Sequence, residues 1–306
     1  MNTKTDISAA YVGSTQVSKL YLGNEVVWPT TPPAPVPYEQ QYFTVEANEA
    51  GTFYVRSENF NFSKNGGPWT SGVGNTAMTL SQGDKVRFKH ETNSAYKGMF
   101  SGNTMSFQVY GNIESMEYGD NFSGQTSINV PSAFSQYFLS STGLTSAENL
   151  VLSAEYLDLY CYYGMFSGCT SLTTAPELPA TTLADSCYRY MFYGCTSLTT
   201  APELPATTLA ESCYMNMFDG CYGIETAPVL PALTLEVSCY NCMFFDCVSL
   251  MNVTCLATDI SATSCLSDWL EAVSFVGTLH KNPLATSIWL PGTNIPDEWT
   301  VQDYSA

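Results

Sequence analysis

Eleven cysteines, two histidines and 28 carboxylates are the residues able to do chemistry in this 306-residue chain, and their spacing decides which chemistry. Every cysteine lies between Cys161 and Cys265. Cys161, Cys187, Cys213, Cys239 and Cys265 form one series and Cys169, Cys195, Cys221 and Cys247 another, each with a period of 26 residues. A zinc site needs four ligands, usually two close pairs. CxxC occurs once, at Cys239 and Cys242, with no second pair or histidine near it. In-register cysteines on neighbouring rungs point the same way and rarely meet the dihedral of a disulfide. Free, buried thiols packing as small apolar side chains are therefore expected, with no metal and no other cofactor. His90 and His280 fall in different expected domains and outside any motif, so a Ser-His-Asp or Cys-His arrangement is hard to assemble. No glycine-rich phosphate loop occurs. Two carboxylates, Glu177 and Glu203, hold the same place in adjacent copies of the repeat, about 5 Å apart if the copies pair as strands. Either both are solvated, or a hard cation such as Ca²⁺ sits between them; Val229 ends the column in the next copy. Nothing fixes a carboxylate pair at glycosidase spacing. The chain is expected not to be an enzyme.

The element that must position these residues is the repeat itself. Met165-Phe166, Met191-Phe192, Met217-Phe218 and Met243-Phe244 recur every 26 residues, and Gly168–Ala184 is identical to Gly194–Ala210. A period of this size predicts a solenoid whose copies bury their apolar faces only by stacking. A degenerate copy runs from Phe138 to Leu152, giving five turns with atypical ends. Between otherwise identical copies the differences collect in CYxxMFxG: Arg189, Tyr190 and Tyr193, then Met215, Asn216 and Asp219, then Asn241, Cys242 and Phe245. Core positions do not vary so freely, because a packed interior feels a single methylene. These residues are expected to be exposed in a row, as a binding strip.

The pattern CYxxMFxGCTSLTTAPELPATTLAxS resembles the BspA-like leucine-rich-repeat family of bacterial surface and phage-borne proteins, over roughly residues 134–265. The resemblance implies a solenoid used for binding or adhesion, with no catalytic residues to carry over. Pro176, Pro179, Pro202, Pro205, Pro228 and Pro231 depart from the family pattern and should keep each strand short, since proline cannot donate to a ladder.

The remaining chain supplies the expected mainly β architecture. Val17–Trp28 reads as a hairpin around Gly23-Asn24, with Leu20, Leu22 and Val27 on one face and Tyr21, Val26 and Trp28 on the other. Apolar on both faces, it should anchor to another body, and it resembles the short N-terminal module, ending in YLGxxxVW, of many phage virion proteins. Residues 30–37 form a proline-rich linker. Residues 38–130 alternate with period two, as in Phe43 and Val45, Phe53 and Val55, Phe60 and Phe62, Met78 and Leu80, Val86 and Phe88, and Phe107 and Val109. This predicts a β-sandwich-like domain. Trp69 and Tyr96 are read as core or rim aromatics in preference to a sugar platform. The solenoid is placed at 131–265. Residues 266–306 are expected to form a C-terminal cap, with a short helix at Ser267–Ala272.

A formal charge of −18 excludes attraction to a nucleic-acid backbone or an anionic membrane. The imbalance peaks in Phe138–Cys265, with 12 carboxylates against Arg189 alone. The start MNTKTDISAA carries no export signal and no run is long enough for a membrane span, so the expected location is a virion assembled in the host cytoplasm. The function expected is a phage head- or tail-fibre or decoration subunit. Its partners would be other virion proteins and a host cell-surface glycan or protein, with homo-oligomerisation open. A bacterial BspA-like surface adhesin and a glycan depolymerase are the alternatives.

Overall fold

The computed structural model describes residues 11–12, 15–16, 20–22, 25–28, 36–56, 59–90, 99–285 and 288–305. The chain is mainly β and divides into two compact units, Met1–Pro37 and Tyr38–Ala306. In the first, β1 (Tyr11–Val12) pairs antiparallel with β2 (Thr15–Gln16), and β3 (Leu20–Leu22) with β4 (Glu25–Trp28). The expected second hairpin is therefore present. A register shift between Leu20 and Tyr21 pairs Leu20 with Trp28 and Tyr21 with Val26. The simple alternation expected for the six apolar residues is thus interrupted by one position. The turn at 23–24, the linker at 29–35 and the side chains proposed as the anchor (Leu20, Tyr21, Leu22, Val26, Val27, Trp28) lie outside the described residues.

The second unit begins with the period-two segment. Strands β5 (Thr44–Ala47), β6 (Gly51–Val55), β7 (Asn59–Lys64), β8 (Thr70–Val73), β9 (Thr76–Leu80), β10 (Lys85–Lys89), β11 (Phe107–Asn112) and β12 (Leu144–Val151) build two sheets. Six strands in the order β12-β11-β5-β10-β7-β8 form the larger, and β6 and β9 form a separate pair. Phe53 on β6 contacts Phe107 on β11 at 5.1 Å and Phe100 at 5.7 Å, so the pair packs on the larger sheet as a lopsided sandwich. The alternating residues read from the sequence are buried, apart from the half-buried Phe62. Gly72 lies in β8. The Phe60 ring covers it, and a Cβ there would sit 2.2 Å from that ring.

Beyond this segment the repeats stack. The rings of Phe138, Phe166, Phe192, Phe218 and Phe244 form one column at 5.4–5.6 Å and near-parallel. Phe134, Tyr162, Tyr188, Tyr214 and Tyr240 form a second at 5.7–6.1 Å. The thiols of Cys169, Cys195, Cys221 and Cys247 each donate to a phenylalanine carbonyl of the preceding rung, at 3.0–3.2 Å. Ser141 donates the same bond, to Phe100, in the degenerate copy.

Three expectations are corrected. The stack does not begin at 131: Phe100 stacks on Phe138 at 5.7 Å, and β11 pairs in parallel with β12, the strand of the next rung. One core therefore runs through the expected boundary at 130. Nor does the repeat fail after Cys265. Strand β14 (Asn252–Cys255) pairs in parallel with β15 (Gly277–Lys281) at the 26-residue register, and the Phe244 N–H donates to the Trp269 carbonyl. Ser267–Ala272 is a run of turns and not a helix, because Asp268 and Ala272 hold left-handed φ angles. Strand β16 (Trp299–Asp303) then extends the sheet as its last strand. Prolines act as expected on strand length. The two identical copies, with two prolines each, keep only isolated bridges such as Ser146 to Thr174 and Thr182 to Thr208. In β13 (Thr226–Leu230) the register slips around Pro228, whereas proline-free β14 pairs regularly with β15.

Candidate functional site

Three rungs carry the pattern CYxxMFxGC, and a fourth carries it with Asp246 in place of the glycine, on a backbone that is neither helix nor strand. In the Ser186–Cys195 rung, the N–H groups of Cys187, Arg189, Met191, Tyr193 and Cys195 donate to carbonyls three residues back. Those of Ser186, Tyr188, Tyr190, Phe192 and Gly194 donate to the next rung. Left-handed residues recur every fourth position: Ser186, Tyr190 and Gly194 here, and Ser212, Asn216 and Gly220 in the next rung. The resulting side-chain period is four, two in and two out. Cys187, Tyr188, Met191, Phe192 and Cys195 are buried, while Arg189, Tyr190, Tyr193 and Gly194 face outward to varying degrees.

The strip expected from copy-to-copy variation is thus assembled, but it is less exposed than expected. Tyr193 is 43% exposed, whereas Arg189, Tyr190, Met215, Asp219, Asn241, Cys242 and Phe245 are half-buried. Asn216 is buried and is corrected out of the exposed set. Its amide donates to Asp219 at 2.8 Å, and its left-handed backbone tucks it against the rung. Part of the variation along the strip therefore falls at a left-handed column: Gln136, Gly164, Tyr190, Asn216, Cys242 and Asp268. Burial raises the Asp219 carboxyl, opposed by the Asn216 amide and reinforced by Asp246. Burial also raises the Cys242 thiol, with Asp268 adding to it.

At one end of the strip the tyrosines gather. Tyr160 meets Tyr163 at 5.8 Å, Tyr163 meets Tyr190 at 5.6 Å and Tyr190 meets Tyr193 at 5.6 Å, all edge to face. The Arg189 guanidinium lies over the Tyr190 ring at 5.0 Å. Where Gly164 has no side chain, a cleft of about 260 Å³ opens between Gln136 and Tyr190, also bordered by Leu139, Tyr163, Ser167 and Tyr193. Sequence comparison located Tyr190 and Tyr193 but passed over Gln136, Tyr163, Gly164 and Ser167. Extending it to CYYGMFSGC at 161–169 would have found the last three.

No family model, curated protein or solved structure matches this chain. What the strip can do rests on its own geometry. It offers aromatic rings, amides and hydroxyls, with Arg189 and Asp219 as its charged groups.

Other candidates fare less well. Glu177 and Glu203 are exposed, and residues 176–179 and 202–205 form no strand, so the ladder that would have paired them is absent. Among the described residues no group of three or more His, Cys, Asp or Glu is placed to hold a metal. Trp69 packs edge-on against Tyr42 at 5.0 Å with Lys89 4.8 Å from its ring centre, the rim aromatic expected; Tyr96 lies outside the described residues. A second cleft of about 430 Å³, near Trp269, is bordered by Asp268, Glu271, Asp297 and Glu298. No described helix is long and apolar enough to cross a membrane.

Proposed function

We propose that this chain is a non-enzymatic structural protein of a phage virion, a head- or tail-fibre or decoration subunit. It joins other virion proteins through residues 1–29 and displays a BspA-like leucine-rich-repeat solenoid for binding a host cell-surface glycan or protein. The observation that carries this reading is the row of outward aromatic and polar side chains on a rigid stack, from Tyr160 through Tyr163, Tyr190 and Tyr193 to Phe245. Exposed aromatic rows held in place by a packed core favour contact with a partner. The separation of Met1–Pro37 from Tyr38–Ala306 as compact units supports a division between attachment and display.

The experiment is attachment of the full chain to a panel of bacterial cells of different surface chemistry. Replacing Tyr190, Tyr193 and Phe245 together by alanine is expected to lower attachment at least tenfold. Unchanged attachment removes the strip from the binding function. In particle assembly, a chain beginning at Tyr38 is expected to fold yet stay outside the virion, while one lacking the repeats still joins it.

A further inference from the structure

We infer that the cleft at Gly164 is a subsite for one uncharged pyranose ring of a surface glycan. This deepens the binding reading above and rests on it. The first observation is that packing does not require the glycine. A Cβ at 164 would meet Gln136 Cγ at 3.5 Å and Ser167 Cβ at 3.8 Å, both ordinary contacts. Equivalent left-handed positions carry Tyr190, Asn216, Cys242 and Asp268. The space at 164 is thus an omitted side chain in an otherwise filled column.

The second observation is the chemistry of the walls. Tyr163 and Tyr190 stand at 76° and Tyr190 and Tyr193 at 79°, edge to face and not stacked, and all three border the cleft. A sugar ring offers an apolar C–H face with hydroxyls around its edge. Tyrosine offers the matching apolar face with a polar tip. The Gln136 amide and Ser167 hydroxyl border the same space and both donate and accept hydrogen bonds.

Charge narrows the class. No Asp, Glu, Lys, Arg or His borders the cleft. The surrounding repeats carry 12 carboxylates against Arg189, whose guanidinium is already engaged by Tyr190. That field repels sialylated, uronic or phosphorylated sugars. Size narrows it further: about 260 Å³ falls below the range of pockets that enclose drug-sized ligands. One ring enters while its neighbours run along the strip.

The test titrates the full chain with mannotriose, cellotriose, triacetylchitotriose and, as the anionic comparison, 3′-sialyllactose. Affinity is read by calorimetry and contact by saturation transfer from tyrosine ring protons. At least one neutral trisaccharide is expected to bind with tyrosine contact, and 3′-sialyllactose at least tenfold more weakly. Gly164→Asn refills the column with a side chain that the same backbone already carries at Asn216. It is expected to weaken binding at least tenfold with melting temperature and circular dichroism retained, while Gly220→Ala, away from the cleft, leaves binding unchanged. Silence from all three neutral sugars, equal binding of 3′-sialyllactose, or binding that ignores Gly164→Asn overturns the subsite. If the chain attaches to cells and Gly164→Asn does not matter, the subsite is wrong and the display reading stands. If trisaccharide binds as expected but the chain attaches to no cells, the display reading falls and the subsite stands.

Discussion

A cysteine that donates its thiol proton across a rung does two jobs at once, filling apolar volume and tying one repeat to the one before. The acceptor carbonyls also receive a backbone N–H, as Phe166 does from Cys169, so losing the thiol orphans nothing. Ser141 shows that a hydroxyl makes the same bond at 2.6 Å. Cys195→Ser should therefore stay within about 1 kcal/mol of the parent, whereas Cys195→Ala, which loses both bond and volume, should cost about 1–2 kcal/mol by denaturant midpoint. Burial pushes these thiols up, to about 12 for Cys247, so they are poor nucleophiles near neutral pH. Of the eleven, ten are buried and Cys242 is half-buried. A thiol reagent on the native protein should label Cys242 first, and denaturation without reductant should release all eleven; recovery mainly as disulfides would contradict this packing. The free, buried character of the cysteines was legible from their period and confinement. The cross-rung hydrogen bonds of Cys169, Cys195, Cys221 and Cys247 were not, because each acceptor lies 29 or 31 residues back in the chain.

The rung is organised by its left-handed residues, three in each of six successive rungs from Ser132 to Ala272. An L-residue with a side chain pays about 1–2 kcal/mol in that conformation, partly offset by the greater freedom glycine loses on folding. At Gly194 a Cβ would find nothing nearer than Gly168 Cα at 3.9 Å, so the substitution is nearly pure backbone. Gly194→Ala should lose about 1 kcal/mol, and Ala272→Gly, at the exposed end of the same column, should gain a similar amount; equal melting temperatures for both variants would show that the column is not strained. The sequence showed which residues of CYxxMFxGC point inward, because chemistry alternates two by two. It did not show the backbone that imposes this. Serine leads the left-handed set in five of the six rungs, at Ser132, Ser186, Ser212, Ser238 and Ser264, and serine is not a usual marker of that region. For the same reason Ser267–Ala272 read as a helix: its apolar pair Trp269-Leu270 occupies the Met-Phe slot of one more rung.

At the scale of the whole Tyr38–Ala306 unit, the sandwich-like segment and the stack are one body because β11 belongs to both. That continuity was hard to read. Residues 98–102 spell GMFSG, as do 164–168, but the spacing from Phe100 to Phe138 is 38 residues and from Phe138 to Phe166 is 28, so the copies fall off the 26-residue period. Where the two parts meet, just after β11, Glu114 at the start of the short helix α1 (Ser115–Tyr118) and Glu117 within it are buried. None of their four carboxylate oxygens has a hydrogen-bond partner. Burial raises the Glu114 carboxyl to about 8, opposed by the nearby Ser153 hydroxyl and reinforced by Glu117, which burial also raises. The folded protein therefore keeps a proton that the unfolded chain releases near 4.5. Below that pH both states hold the proton and the contribution to stability is complete. As pH rises towards 8 only the folded state still holds it, so stability falls by up to about 1.4 kcal/mol per pH unit from this group, and levels off above. Self-repulsion of the −18 charge also grows with pH, and it is common to the parent and to a variant that differs only at Glu114. Urea unfolding between pH 6 and 9 isolates the buried acid. The parent should lose stability across that interval, and Glu114→Gln, which supplies a neutral side chain of the same shape, should flatten the loss and be the more stable protein at pH 9. A Glu114→Gln profile parallel to that of the parent would place the pH dependence elsewhere.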